Sequence, residues 1–452
     1  MSIERAILTL CVSFGVLALL IWGWSDPALS AQGLLRRSAP HESPLCSGIC
    51  GCYASNWTKD LQQYASPPLI ASIDEACRQL AAADAELGPS ERPPSHLIYY
   101  RTRVISYLLE SSPSNKRLWE DFFGRVIADT RVHVLIGSKD RAAALSSVLQ
   151  LLREYQKGPI RVSISYEGSN DVHVAAYQSL QRDFPQYDFI PRAKDVEDHL
   201  TPYSSFLQWA LTTNSTNFAV FSDDTWMRLP ASFAAIGALQ RVLSNQPDSL
   251  ERPYVIASEL RWKDGMTSMP SMYGSQFVSS VPAHGDLARM VLYNTSKCIL
   301  WTTGHRVCYN RDIDGPIFRA ADFKTEFSHL NLRGMTHPAS FEGSWENYRE
   351  ANLHLFDDFV LAPADEIVFN NGLQMVTVRE EGSPILKDKS ASSGAALRLE
   401  FSKAISEGCR QNPLSPEIVQ WARSSSESHR YGVPMPWNCP AGIIPPEVIL
   451  SI

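Results

Sequence analysis

The apolar and polar positions of this chain change their spacing more than once. Ala6 to Trp24 is an unbroken apolar run without a charge. From Pro67 to about Leu87, the residues Leu69, Ile73, Cys77 and Leu80 recur at helical spacing. After a break at Gly88 to Pro94, Tyr99 to Leu109 and Leu118 to Ile127 read as further amphipathic helices. From Val132 onward, short apolar runs alternate with amphipathic stretches. Val132–Ile136, Ile160–Tyr166 and Tyr187–Ile190 predict strands, and Ala142–Tyr155, Val172–Phe184 and Thr201–Thr212 predict helices. Leu145, Val148, Leu149 and Leu152 form the stripe of the first of these helices, and Gly158-Pro159 stops it. Such alternation predicts βαβ units, hence an α/β fold with a mostly parallel sheet flanked by helices.

The next apolar run, Asn217 to Phe221, ends in Ser222-Asp223-Asp224. A buried strand delivers its carboxyl end to the edge of the sheet, where open α/β folds bind ligands. Two carboxylates there suit a hard divalent cation, which can in turn hold a diphosphate; the same residues also suit an acidic turn. Beyond Trp226 the pattern predicts a helix over Ala231–Leu243 and a strand over Tyr254–Ser258. Residues 259–297 read as an irregular stretch. Helices are predicted over Asp312–Phe327 and over Asn347–Leu361, the second carrying Asp357 and Asp358. A late strand at Ile367–Asn370, a polar linker at Glu380–Gly394 and a helix near Ala395–Ile405 follow. The glycines after the first strand lack Gly-x-Gly-x-x-Gly spacing, and no Gly-x-Ser-x-Gly elbow occurs, which argues against a dinucleotide fold and the commonest hydrolase.

The apolar N-terminal run changes the picture of where the chain resides. As a helix it would extend roughly 28 Å, close to a bilayer core. It fits either an uncleaved signal anchor or a signal peptide cleaved near Ala28-Leu29-Ser30, and its length suits the anchor better. Outside it lie eight cysteines: Cys46, Cys50, Cys52, Cys77, Cys298, Cys308, Cys409 and Cys439. An even count suits an oxidising compartment, and Cys298 with Cys308 and Cys409 with Cys439 are the simplest pairs. Asn56, Asn214 and Asn294 head Asn-x-Ser/Thr triplets that can accept N-glycans. The net charge of −7 comes with no basic patch that would suggest nucleic acid.

Three blocks resemble the GT-A family of nucleotide-sugar glycosyltransferases, in its family-2-like form. They are the first strand with Gly137-Ser138-Lys139-Asp140-Arg141, the block Tyr166-Glu167-Gly168-Ser169-Asn170-Asp171, and Phe221-Ser222-Asp223-Asp224, which is similar to the Asp-x-Asp motif. The resemblance implies a Rossmann-type GT-A fold and a nucleotide-sugar donor. It implies contacts to that donor from Gly137, Ser138, Arg141, Glu167, Ser222 and Asp223, and a metal, Mn2+ or Mg2+, on Asp223 and Asp224; His354 and His337 are each candidates for a further ligand. Ser222 stands where the motif has its first acid, which removes one carboxylate from the metal. Transfer of a sugar needs a cation or basic group for the leaving diphosphate and a carboxylate base for the acceptor hydroxyl. Asp357 and Asp358 are candidates for that base, with Glu346 as another. The implied layout is that of Golgi (or endoplasmic reticulum) type II enzymes. It comprises a tail (1–5), a transmembrane signal anchor (6–24), a stem (25–66), a helical lead-in (67–130), the catalytic domain (131–380) and a C-terminal linker and extension (381–452). The acceptor would be a glycan or glycoconjugate. A catalytically inactive relative, which Ser222 favours, is the alternative.

Overall fold

The computed structural model describes residues 59–87, 97–192, 212–244, 254–259, 276–281, 290–294, 299–300, 306–307, 315–321, 358–363, 367–370, 391–424 and 436–444, with 324, 330 and 344 singly. A short turn of helix α1 (Lys59–Gln62) precedes three longer helices, α2 (Pro67–Ala85), α3 (Leu97–Ser111) and α4 (Pro113–Asp129). α2 and α4 begin the same way: Ser66 and Ser112 accept from the backbone N–H three residues on, and proline occupies the first turn, where its missing N–H costs nothing.

The alternating region follows as β1 (Val132–Lys139), α5 (Ala142–Tyr155), β2 (Arg161–Glu167), α6 (Asp171–Asp183), β3 (Asp188–Pro191), β4 (Asn217–Ser222), β5 (Thr225–Met227) and α7 (Phe233–Leu243). The remaining strands are β6 (Tyr254–Glu259), β7 (Gln276–Val281), β8 (Met290–Asn294), β9 (Ile299–Leu300), β10 (Arg306–Val307), β11 (Pro316–Arg319), β12 (Asp358–Pro363) and β13 (Val368–Asn370). The C-terminal part holds α8 (Ala391–Ser406), β14 (Arg410–Gln411), α9 (Pro416–Ser424) and β15 (Trp437–Asn438).

Nine strands form one sheet in the order β3-β2-β1-β4-β11-β6-β12-β8-β7. The pairs β3–β2, β2–β1, β1–β4 and β6–β12 are parallel. β11 and β8 oppose their neighbours. The sheet is therefore mostly parallel in direction. β1 and β4 are buried through almost their whole length, as expected of strands covered on both faces. From β1 the chain winds outward through α5 to β2 and through α6 to β3. It then returns to place β4 on the other side of β1. Right-handed crossovers that advance in opposite directions put α5 and α6 on one face and α7 on the other. α7 is apolar almost all round and almost fully buried, because it lies between the sheet and α4.

Three expectations from the sequence are corrected here. Residues 259–297 are not all irregular, since β7 and β8 extend the sheet from within them. Residues 316–319 are the buried central strand β11 rather than helix. Residues 358–361 belong to strand β12 and not to the end of a helix. The predicted helix Thr201–Thr212 lies outside the described residues except at Thr212. Among the described residues no helix is long and apolar enough to cross a membrane; Ala6–Trp24 lies outside them.

The C-terminal helix α8 packs against α6 and α5. A disulfide joins Cys409 to Cys439, the pairing that proximity in sequence suggests. Cys77 is disulfide-bonded as well, and Cys298 and Cys308 lie outside the described residues.

Candidate functional site

The strand order reverses between β1 and β4, so the crevice beyond their carboxyl ends is where an open sheet of this kind receives a ligand. The register brings three strand ends level there. Gly137 pairs with Ser222, and Lys139 pairs with Glu167. The three sequence blocks, roughly 30 and then 55 residues apart, thus meet at one edge.

β1 gives way to α5 at Asp140, which has φ 55°, a left-handed conformation that aspartate tolerates better than most residues. Its backbone N–H donates to the Glu167 carbonyl (3.0 Å), and its Oδ1 accepts the Ser169 N–H (2.7 Å). That second bond fixes the β2–α6 turn. Gly168 is required in this turn, because a Cβ would sit 2.8 Å from both the Val174 backbone nitrogen and its Cγ2. His173, on the first turn of α6, lies 3.8 Å from Asp140 through Nε2 and 2.7 Å from the Ser402 hydroxyl through Nδ1. Burial lowers its pKa, against the pull of Asp140.

Arg141 opens α5 without a side-chain cap and turns its guanidinium to the carboxylates. One terminal nitrogen lies 2.6 Å from Asp223 Oδ1 and the other 3.1 Å from Asp224 Oδ2. The remaining carboxylate oxygens also have donors. The Ser138 hydroxyl donates to Asp223 Oδ2 (2.7 Å), and the Ser222 hydroxyl donates to Asp224 Oδ1. Ser222 is held in turn by Thr225, whose hydroxyl lies 2.9 Å away and accepts the Ser222 N–H (3.1 Å). The Tyr177 hydroxyl accepts the Arg141 N–H (3.0 Å) and donates to Ser138 (2.7 Å). A closed ring results: Arg141 backbone, Tyr177, Ser138, Asp223, Arg141 side chain. Bonds in such a ring polarise one another.

All of these groups but the half-buried Ser222 are buried; Asp223 is 3% exposed, Arg141 7% and Asp224 8%. Burial is the largest influence on Arg141 and would lower its pKa, but the two carboxylates outweigh it and raise the value. For Asp223 burial wins. Together with the Asp224 charge it pushes the carboxyl up to about 6, against Arg141 and the Ser138 hydrogen bond. Burial also raises the Tyr177 hydroxyl.

A second group of charges stands at the mouth. Lys139 Nζ is 2.7 Å from Glu167, and Arg192 is 3.6 Å from the other carboxylate oxygen of Glu167. The Lys139 side chain is about half exposed and that of Glu167 29%, while that of Arg192 is buried. Of the residues singled out in sequence, the structure therefore brings together Gly137, Ser138, Arg141, Glu167, Ser222, Asp223 and Asp224. Sequence reasoning missed Tyr177, Asp140, His173, Lys139 and Arg192 as members of the cluster. Tyr177 and His173 sit one helical turn apart on α6, a spacing that was visible but pointed only to a helix face.

Asp358, the base candidate among the described residues, does not join them. Asp358 is the first residue of β12 and pairs with Tyr254 at the amino end of β6. Val360 is level, through Ala257 and Phe318, with Phe218. Asp358 therefore stands at the opposite edge of the sheet from Asp223, on the order of 20 Å along the strand direction. Asp357, Glu346, His337 and His354 lie outside the described residues. Among the candidate glycan acceptors, Asn214 is exposed ahead of β4, Asn294 ends β8 opposite Phe359, and Asn56 lies outside the described residues.

The residues present do not fit a divalent cation. Such an ion needs free carboxylate oxygens, and all four here carry a protein donor with a guanidinium already between them. Among the described residues, no group of three or more His, Cys, Asp or Glu side chains could hold a metal.

No protein-family model matches the sequence, and no curated protein matches it. Solved structures similar to part of the fold include S. aureus TarS, at 9% identity and TM-score 0.29 over 53% of this chain and 36% of that one. The 1–349 form of TarS gives 9% and 0.28, over 53% of this chain and 59% of that one. The mannosyltransferase PcManGT from Pyrobaculum calidifontis, bound to GDP-Man and Mn2+, gives 12% and 0.30 over 72% of this chain and 85% of that one. The matched part is thus about a third of the length of TarS.

Proposed function

We propose that this chain is a glycosyltransferase that binds a nucleoside-diphosphate sugar in the crevice beyond β1, β2 and β4 and passes the sugar to a glycan, glycoprotein or glycolipid acceptor. One observation carries the reading. The point where the strand order reverses is also where Asp223, Asp224, Arg141 and Glu167 converge. In this reading Glu167 accepts hydrogen bonds from the nucleoside. Lys139 and Arg192, the cations at the mouth, balance the diphosphate as the bond from the anomeric carbon to its oxygen breaks. The buried ring holds the turn between β1 and α5 that shapes the floor. The acceptor hydroxyl attacks the anomeric carbon and gives its proton to a carboxylate, for which Glu346 is the candidate.

The proposed setting is the lumen of the Golgi or endoplasmic reticulum, with residues 6–24 as a single-pass type II anchor. A disulfide between Cys409 and Cys439 and an exposed Asn214 support an oxidising, glycosylating compartment. Enzymatic removal of N-glycans from the protein made in eukaryotic cells should shift its mass, and Asn214→Gln should remove part of that shift.

The test is thermal melting of the full-length chain with uridine and guanosine diphosphates, followed by release of nucleoside diphosphate from the matching nucleotide sugar. A ligand present at 100 times its Kd stabilises by about 2.7 kcal/mol, a readable shift. Binding with turnover supports a transferase. Binding without turnover supports a second reading, an inactive glycosyltransferase-like binding protein, which the hydroxyl of Ser222 in place of a carboxylate favours. A chain that binds no nucleotide is neither.

A further inference from the structure

The carboxylate pair at the reversal point has the position of a cation site, yet it already contains a cation. We propose that Arg141 is the built-in counter-cation of Asp223 and Asp224, and that the pair therefore takes no divalent ion when a nucleoside diphosphate binds. The inference rests on the donor-site reading above and sets the cofactor requirement of that site.

The geometry supports it oxygen by oxygen. The two terminal nitrogens of the guanidinium each take one carboxylate, at 2.6 and 3.1 Å, which is the forked contact that a planar guanidinium makes and an ammonium does not. The outer oxygens are taken by two hydroxyls, and those hydroxyls are themselves fixed, Ser138 by Tyr177 and Ser222 by Thr225. A Mn2+ or Mg2+ ion needs about six oxygens in close, near-octahedral contact. To enter here it would have to displace the guanidinium or share both carboxylates with it, and a cation beside a buried cation is repelled. Displacement is resisted from both ends of the residue. The Arg141 side chain is 7% exposed, and its backbone N–H is bound to the buried Tyr177 hydroxyl. Ser222 belongs to the same arrangement. A carboxylate in its place would add a third negative charge against a single guanidinium, whereas a hydroxyl donates to Asp224 and adds none. The departure from an acid-x-acid motif and the inward arginine are thus two halves of one device.

The experiment uses the full chain in two arms. In the first, binding of uridine and guanosine diphosphates is measured by calorimetry in excess EDTA, in Mg2+ and in Mn2+. In the second, Mn2+ alone is titrated and the free ion is followed by its paramagnetic resonance signal. The expected result is a nucleotide Kd that changes less than about threefold between EDTA and Mn2+. No Mn2+ uptake that Asp223→Asn abolishes should appear. Arg141→Ser should make nucleotide binding Mn2+-dependent by opening the carboxylates; the two wild-type arms decide the question if that variant does not fold. Nucleotide binding that tightens tenfold or more with Mn2+ and loses this gain in Asp224→Asn overturns the inference. If neither nucleotide binds, the donor-site reading falls and the second arm alone judges the counter-cation. One equivalent of Mn2+ taken up and lost in Asp223→Asn overturns it, and no uptake upholds it.

Discussion

Asp223 is pulled two ways, and the outcome is measurable. Arg141 favours its ionised form, while burial and the neighbouring Asp224 charge favour the protonated form and prevail. Moving a carboxyl from its ordinary range near 4 up to about 6 corresponds to about 3 kcal/mol between its two protonation states. The sign follows from linkage. Between those pH values the folded protein holds a proton that the unfolded chain has released, so this group makes stability fall as pH rises, and the loss is complete above about 6. Asp223→Asn keeps the shape, retains an oxygen for Arg141 and cannot ionise. Relative to the wild type, the variant should therefore gain about 3 kcal/mol as pH is raised from about 4 to about 7. Urea unfolding of both proteins at several pH values gives the difference at each, and other titrations cancel in it. A difference that does not change with pH, or that moves against the variant as pH rises, would mean that Arg141 holds Asp223 ionised and that burial has been overrated.

Three further outcomes follow from contacts described above. Cys409→Ser opens a link across 30 residues and should lower stability by about 3–4 kcal/mol, read as a fall in Tm under non-reducing conditions. Tyr177→Phe leaves the Ser138 hydroxyl and the Arg141 N–H short of a buried partner; a loss of about 1–3 kcal/mol with unchanged far-UV circular dichroism is expected. Gly315 has φ 110° and donates its N–H to the Val220 carbonyl, and a Cβ there would meet Val368 Cγ2 at 2.6 Å. Gly315→Ala should accordingly cost about 2 kcal/mol or more in urea unfolding.

The half of the sheet built from βαβ units was legible because its signals are local. The helix Ala142–Tyr155 was read to the residue, since its apolar stripe and alanine-rich start lie within it and its Gly-Pro stop lies just beyond it. In the other half only β6, predicted over Tyr254–Ser258, was legible. β11 is four residues, Pro316–Arg319, wholly buried between β4 and β6, and a run that short has no period to distinguish strand from helix. β12 ends at Pro363 and is made a strand by partners more than 60 residues away in sequence. The carboxylate pair was legible as a strand end. Its charge partner was not, because Arg141 reaches Asp224 across 83 residues and nothing near either residue announces the contact.

The C-terminal segment offers a final, sharper case. Composition marks residues 381–452 as linker and extension, yet the contacts of residues 391–424 and 436–444 tie them to the face that carries the site. Ser402 is buried and bonded to His173, whose other ring nitrogen faces Asp140 at the crevice. Arg410 reaches Asp183 and donates to the Ser179 hydroxyl (2.8 Å), and the Gln411 carbonyl accepts from Gln150 (3.0 Å). Phe401, Ile405 and Ile418 belong to the same core as α5 and α6. Ending the chain at 390 would expose the apolar faces of α5 and α6. At about 1.5–3 kcal/mol for each large apolar side chain that loses its burial, those three alone amount to about 5–9 kcal/mol, comparable to the whole stability of a domain. The truncated chain should therefore lose cooperative melting and bind a hydrophobic dye. If instead it melts within a few degrees of the full chain, α8 and α9 are an appendage and the link from Ser402 through His173 to Asp140 has no bearing on the crevice.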